Sequence, residues 1–523
     1  MTKTGQKIAV IGAGIGGLSA AIRLAAAGNN VQVFESHDHV GGKMRSVPSQ
    51  AGPIDAGPTV LTMRDVFDDL FENAGTRLDE HVTLTRQDVL ARHWWSDGST
   101  LDLFADRDRN VEAITALAGS ADAKAFSKFC DETQRLFDSF EAPMMRAGTP
   151  SRLQLVSTVL RNPALLKTMS PFSSMAGYLA RRFRDPRLRQ LFGRYATYVG
   201  GSPHKSPALL ALIWQAEARG VWTVDGGMHS LASAMGRLLE ERGGQIINGT
   251  AIQRVELQNK VPTHVTDNLG MRHAADVVIF NGDPRALQRG MLGDNLTSVV
   301  AHQQTEPRSH SAFVWSFSAT AAGVPLEHHN VFFGDVAQSE FIDLSNGQMP
   351  SDPTLYVCAQ DRGTNRQVQG PERFEIIMNG PPGFKIHPEQ EFDQCHTRTF
   401  QRLRQMGLTF DPRPGLQALA TPRDFATLFP GSAGSLYGRS PHGLTASLKR
   451  PTARTAQPGF YLAGGGAHPG AGVPMAALSG KHAAEAIMRD QISISKFRKT
   501  DTHGGMSTAS QMTVRKPSQS SAS

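Results

Sequence analysis

The clearest pattern lies at the start of the chain. KIAVIGAG, beginning at Lys7, is a continuous apolar run that stops at glycines, and IGGLSAAIRLAAAG follows it with small apolar residues at helical spacing. Such a run without alternation predicts a strand buried on both faces of a parallel sheet. The next segment predicts a helix ended by Gly28 and Asn29, and VQVFE predicts a second strand closing at Glu35. Residues 52–63 read as a loop punctuated by Pro53 and Pro58, before an amphipathic helix through VFDDLFENAG. From Asp102 to Arg194 spaced Phe, Leu and Met predict mostly helix. GVWTVDGGM places a turn at Asp225, Gly226 and Gly227 before a helix whose Leu231, Met235, Leu238 and Leu239 share one face. Strands are then expected in GQIINGTAIQRVEL, ADVVIFNGDP, HSAFVWSFSA and PTLYVCAQ, a helix in QEFDQCHTRTFQRLRQM, and a last strand at Phe460, Tyr461 and Leu462.

The return of strands after a long helical stretch predicts an α/β nucleotide-binding domain assembled from separated segments. The expected division is residues 1–75, 221–295 and 451–490 for the nucleotide domain, with 76–220 a helical segment facing substrate and membrane and 296–450 a second substrate segment. Residues 491–523, rich in Ser, Thr, Lys and Gln, are expected to be a disordered tail.

Gly12, Gly14 and Gly17 form G-x-G-x-x-G at the first strand-to-helix junction. The first permits a tight turn, the second lets a pyrophosphate reach the backbone, and the third lets helix and strand touch. The helix N-terminus offers N–H groups to phosphates, and Glu35 stands where a carboxylate grips a ribose hydroxyl. The pattern specifies a dinucleotide without choosing between FAD and NAD. At the other end, AGGGAHPGAGVPMAALSG repeats the sequence of strand, glycine loop and helix start, with Pro474 in the first helical turn. Gly465, Gly466, Gly472, Val473, Pro474 and Met475 would present bare backbone and a helix N-terminus to the redox ring of the same cofactor.

Composition narrows the alternatives. The 523 residues are 40% hydrophobic and 19% charged, an ordinary globular balance, and the net charge of +7 owes much to Lys496, Arg498, Lys499, Arg515 and Lys516 near the end. With no nucleic-acid-binding motif beside it, this charge argues against a nucleic-acid partner. Cys130, Cys358 and Cys395 are far apart, which suits a reducing cytosol. Histidines such as His302, His310, His328 and His329 lack ligand spacing and read as surface or core residues, so no metal is expected. Glycines interrupt the N-terminal apolar run, which argues against an export signal, and no segment approaches the roughly 20 apolar residues that span a bilayer. Between Glu141 and Arg182, however, Arg146, Arg152, Arg161, Lys167, Arg181 and Arg182 interleave with Leu, Met and Phe, and Glu141 is the only acid. That pattern suits a helix lying in an anionic lipid interface, or equally a cap-domain helix pair with a solvated basic face.

The fingerprint followed by HVGGKMRS, with GPIDAGPT, GVWTVDGGM and AGGGAHPGAGVPMAALSG, resembles the flavoprotein amine oxidase and carotenoid desaturase superfamily. Within it the likeness is to bacterial carotenoid desaturases of the phytoene desaturase type, in the branch acting on hydroxylated carotenoids. The resemblance implies FAD, with Gly41, Gly42 and Arg45 serving its pyrophosphate and Lys43 standing where many members carry Arg. It implies a Rossmann-like domain of amine-oxidase type, an acyclic C40 carotenoid as substrate, and a cytoplasmic enzyme held peripherally on the inner face of the membrane. The expected reaction removes a hydride to the flavin and a proton from the neighbouring carbon. Such a cation is delocalised, so no strong base is demanded. Asp55, Tyr198 and His468 are candidates for polar contacts at the ring, each with a structural reading beside it. No electron acceptor is designated. Two alternatives remain open: an amine oxidase, although AHPGAGVPM offers no aromatic cage, and a non-enzymatic prenyl-protein escort, against which both intact glycine motifs argue.

Overall fold

A computed structural model describes residues 5–363, 370–383 and 388–500. β1 (Lys7–Ile11) leads into α1 (Ile15–Ala26) and β2 (Asn30–Phe34). After α2 (Asp65–Asn73) come β3 (Val89–Trp94), β4 (Thr100–Phe104), and a helical stretch containing α3 (Ser120–Phe140), α4 (Arg152–Arg161) and α5 (Ala164–Met169). α6 (Met228–Glu241), β5 (Gln245–Ile247) and β6 (Val277–Phe280) return the chain to the first layer. β7 (Ser311–Gly323), β8 (His329–Phe332), β9 (Leu355–Ala359), β10 (Glu372–Gly380) and β11 (Leu408–Asp411) form the second domain, before β12 (Phe460–Leu462) and α7 (Val473–Thr500) close the chain.

The first sheet has the order β12-β6-β1-β2-β5 and every pairing in it is parallel. β1 sits in its middle, which is why its side chains are apolar without alternation: Ile8, Ala9, Val10 and Ile11 are all buried. Leu231, Met235, Leu238 and Leu239 of α6 fill the same core as Leu18, Val31 and Val33. The second sheet, β11-β7-β10-β9-β8-β3-β4, is antiparallel except where β8 joins β3. The fold is therefore a Rossmann-like domain interrupted by a mixed domain and a helical region.

α1 and α7 cross closely because their contact face is made of small residues. A Cβ on Gly480 would lie 2.2 Å from the Gly16 carbonyl oxygen, and Ser19 Oγ donates to Ala477 O at 2.8 Å across the same crossing. This contact carries α7 beyond Asp490. Gln491 Nε2 reaches the side chains of Gln6 and Asn29, both at 2.9 Å, and the helix runs on to Thr500. The helix thus passes the boundary at 491 expected for a tail and continues to Thr500; residues 501–523 lie outside the described part.

Candidate functional site: two glycine loops and an apolar cavity

The β1–α1 turn is built as its glycines require. Gly12 has φ +100°, a conformation that L side chains avoid, and a Cβ on Gly17 would lie 2.2 Å from the Gly12 carbonyl oxygen. Gly41 N donates to Ala13 O at 2.9 Å, bringing the second glycine pair beside the first, so that a Cβ on Gly42 would stand 3.1 Å from Gly14 Cα. α1 has no side-chain cap and no acid in its first turn, which leaves its leading N–H groups for an anion. Glu35 receives Ala13 N–H at 2.7 Å on Oε2, and His37 N–H at 2.9 Å on Oε1. Burial alone would raise its pKa, but the bonds from His37 and Ala13 outweigh burial and hold the carboxylate below its ordinary range.

Lys43 and Arg45 neighbour groups of the protein itself. Lys43 Nζ turns to the Leu436 carbonyl at 2.5 Å, and burial brings its pKa down to about 8. Arg45 stands over the Phe425 ring, 6.0 Å from its centroid, and its side chain makes no hydrogen bond among the described residues. Its charge neighbours Glu375, whose carboxyl oxygens are both buried without a partner and whose pKa burial pushes well above the usual carboxylate range.

At the other end, Gly464 follows β12 and stands against the first loop: a Cβ on Gly16 would lie 2.5 Å from Gly464 N. Asn281 is wedged between them. Its Nδ2 donates to Gly12 O at 3.0 Å, while its Oδ1 is buried without a partner. Gly466 packs on Pro284, where a Cβ would meet Cδ at 2.4 Å, so its bareness serves the protein's own packing. The Gly465 carbonyl accepts from Arg450 Nη1 at 2.8 Å, and Arg450 Nη2 binds the carbonyls of Tyr437 and Arg439, each at 2.8 Å. This arginine pins the C-terminal loop. No local motif announced it.

The three candidate polar residues part company. Asp55 accepts from Met228 N at 2.5 Å and His229 N at 3.1 Å, capping α6 from a distance, and burial raises its pKa against that pull. His468 bonds Ala147 O through Nε2 at 2.9 Å and stacks on His482; burial lowers its pKa to about 4. His468 does not line the apolar cavity described next. Tyr198 does face a cavity.

That cavity has a volume of about 390 Å³ and is walled by residues 57–60, by Phe137, Phe140, Met144 and Met145 of the helical region, and by residues 470–475. Gly472, Val473, Pro474 and Met475 therefore border the space that the helical region closes from the other side. Arg194 and Glu217 also line it. A second cavity of about 440 Å³, more polar, holds Asp55, Thr223, Gln360 and Arg373. On its wall His328 and Cys358 meet His329, with ligand-type atoms within 4.8 Å of one another. Their closeness comes from strand register, His329 lying opposite Cys358, which spacing along the chain does not disclose. His302 alone of the four histidines singled out in the sequence is exposed.

An FAD-type dinucleotide fits these residues. The uncapped N-terminus of α1 leaves N–H groups for a pyrophosphate, and Gly42 approaches Gly14 so closely that a Cβ on it would stand 3.1 Å from Gly14 Cα. The comparisons agree. A family profile described as flavin containing amine oxidoreductase matches residues 15–488. A hydroxyneurosporene desaturase from Cereibacter sphaeroides is 56% identical over 94% of this chain and 99% of its own. One from Rhodobacter capsulatus is 49% identical, over 94% and 99%. Among solved structures, an oxidoreductase from Methanosarcina mazei shares the fold with a TM-score of 0.59 at 16% identity, over 92% of this chain and 100% of that one. With both glycine loops on one sheet and the match running nearly end to end, the chain belongs to the flavin containing amine oxidoreductase family, in its carotenoid desaturase branch.

Proposed function

We propose that the protein is an FAD-dependent desaturase that introduces a carbon–carbon double bond into an acyclic, 1-hydroxylated C40 carotenoid. The observation that carries this is the apolar cavity bordered by residues 470–475, together with relatives named hydroxyneurosporene desaturase. The N-terminus of α1 and Gly14, Gly41 and Gly42 would hold the pyrophosphate, Glu35 a ribose hydroxyl, and residues 472–475 the ring edge. When bound, FAD supplies the acceptor for the two electrons that leave the substrate. The chain contributes position and exclusion of water. Leu, Ile, Met and Phe side chains of the cavity wall would hold the polyene against the ring edge.

The exposed side chains of the helical region support peripheral contact with a membrane surface. Leu153, Leu160 and Phe172 are 82%, 73% and 99% exposed, unusual for large apolar side chains on a water-facing surface. The basic residues divide. Arg146 pairs with Asp65 and Glu141, and Arg182 with Glu132, whereas Arg161, Lys167 and Arg181 remain exposed; the Arg152 side chain lies outside the description. No helix among the described residues is long and apolar enough to cross a membrane. Expression in cells accumulating neurosporene and its 1-hydroxy derivative, with pigment chromatography, tests the activity: a product with one more double bond supports it, and unchanged pigments refute it.

A further inference from the structure

Three charged side chains line the apolar cavity among the described residues: Arg194, Glu217 and Arg450. Arg450 is satisfied by three carbonyls. Arg194 is not. Its one hydrogen bond among the described residues runs from Nη1 to the Tyr198 hydroxyl at 2.9 Å, and the rings of Tyr198 and Tyr356 flank its guanidinium at 5.0 and 5.4 Å. A guanidinium carries five N–H donors, so most of them are left to whatever occupies the cavity. Glu217 is buried close by, with Oε2 accepting from the Tyr195 hydroxyl at 2.6 Å. Arg194 and Glu217 lie near enough for the cation to pull the carboxyl's pKa down against the burial that raises it.

An unsatisfied cation is costly in a space otherwise shaped for hydrocarbon unless the ligand brings oxygen to it. A polyene is a poor key for an apolar tunnel in another respect. Its isoprene units repeat, so sliding by one unit changes few contacts, and only a distinct end group fixes which bond meets the cofactor. Resting on the carotenoid reading above, we propose that Arg194, Tyr198 and Glu217 form the receptor for the terminal hydroxyl of the substrate. Arg194 donates to the hydroxyl oxygen, and the Tyr198 oxygen and Glu217 offer acceptors for its proton. The receptor sets both substrate choice and register. A deoxy polyene in the same place leaves these groups desolvated and unpaired, the situation in which polar sites discriminate most strongly.

The test uses the FAD-loaded protein and two probes, 1-hydroxyneurosporene and neurosporene. The wild type should favour the hydroxylated probe by about ten- to a hundredfold in kcat/KM, and Arg194→Met should bring that ratio within about threefold. Arg194→Lys, which keeps a donor and a charge, should recover part of it. A readout independent of turnover is the affinity of each polyene, followed by its quenching of tryptophan fluorescence: Arg194→Met should weaken binding of the hydroxylated probe alone. Should that variant lose its flavin, Tyr198→Phe and Glu217→Gln carry the same measurements. An undiminished preference in variants that retain flavin overturns the receptor while leaving the desaturase reading in place. A wild type that neither binds nor converts either polyene refutes the desaturase reading, and the receptor falls with it.

Discussion

Replacing Gly16 by alanine isolates the contact on which the cofactor site depends. The added Cβ would lie 2.5 Å from Gly464 N and 2.8 Å from both Gly464 Cα and Asn281 Oδ1, where ordinary contact begins near 3.4 Å. Two of these atoms are backbone, so relief requires α1 and the C-terminal loop to separate by roughly 1 Å in a region packed like a crystal. Overpacking of this kind costs about 1–3 kcal/mol, and alanine's better helix propensity returns at most about 1 kcal/mol. The net loss of about 1–2 kcal/mol lowers Tm by a few degrees in a chain of this length. Because the strain falls between the two loops, flavin release should shift further than global unfolding. Circular dichroism follows unfolding, and flavin fluorescence on a parallel ramp follows release. Gly148→Ala is the control, since its Cβ would meet nothing nearer than 3.6 Å. If Gly16→Ala matches Gly148→Ala in both transitions, the two ends of the chain do not meet as described.

Other outcomes follow from the same structure. Arg450→Met leaves the carbonyls of Gly465, Tyr437 and Arg439 without a donor, at about 1–3 kcal/mol for each buried unpaired group, and should yield protein with little bound flavin by absorbance; Arg450→Lys should retain part of it. Burial lowers the pKa of His468 and His482 to about 4 and of His93 and His310 to about 3. Unfolded histidines bind protons below about pH 6.5, so stability is complete above that value and is lost as pH falls toward 4; Tm should drop between about pH 6.5 and 4, less steeply in His482→Gln, and a flat profile refutes this. The wild type should float with phosphatidylglycerol vesicles, and a double change of Leu160→Glu and Phe172→Glu should abolish flotation; a wild type left in the soluble fraction removes the membrane assignment.

What the sequence disclosed is what backbone geometry dictates locally. Gly12 and Gly17 are legible because a tight turn and a helix on a strand admit few other residues, and the Asp225–Gly227 turn is legible for the same reason. The link between GPIDAGPT and GVWTVDGGM was not: Asp55 of one fills the space beside Gly227 of the other, where a Cβ would strike the carboxylate at 2.6 Å. Arg194, Glu217, Asn281 and Arg450 escaped notice because each is a single residue whose partners arrive through tertiary packing. His468 drew notice from its glycine neighbours, yet its ring turns to Ala147 and His482. Lys43 occupies the expected position in the chain, but the Leu436 carbonyl captures its ammonium.

The parallel sheet has a consequence for how the protein comes into being. β2 pairs with β1 at once, but Ile8 pairs with Val277, and Val278 with Phe460, so the other side of the central strand waits for a neighbour hundreds of residues downstream and β12 joins later still. On the ribosome, β1 and α1 emerge early with no completed layer to join, and must be kept from wrong partners while the second domain forms. A chain stopped before Leu462 would lack the strand that delivers the second glycine loop, so such a fragment should neither retain flavin nor escape proteolysis.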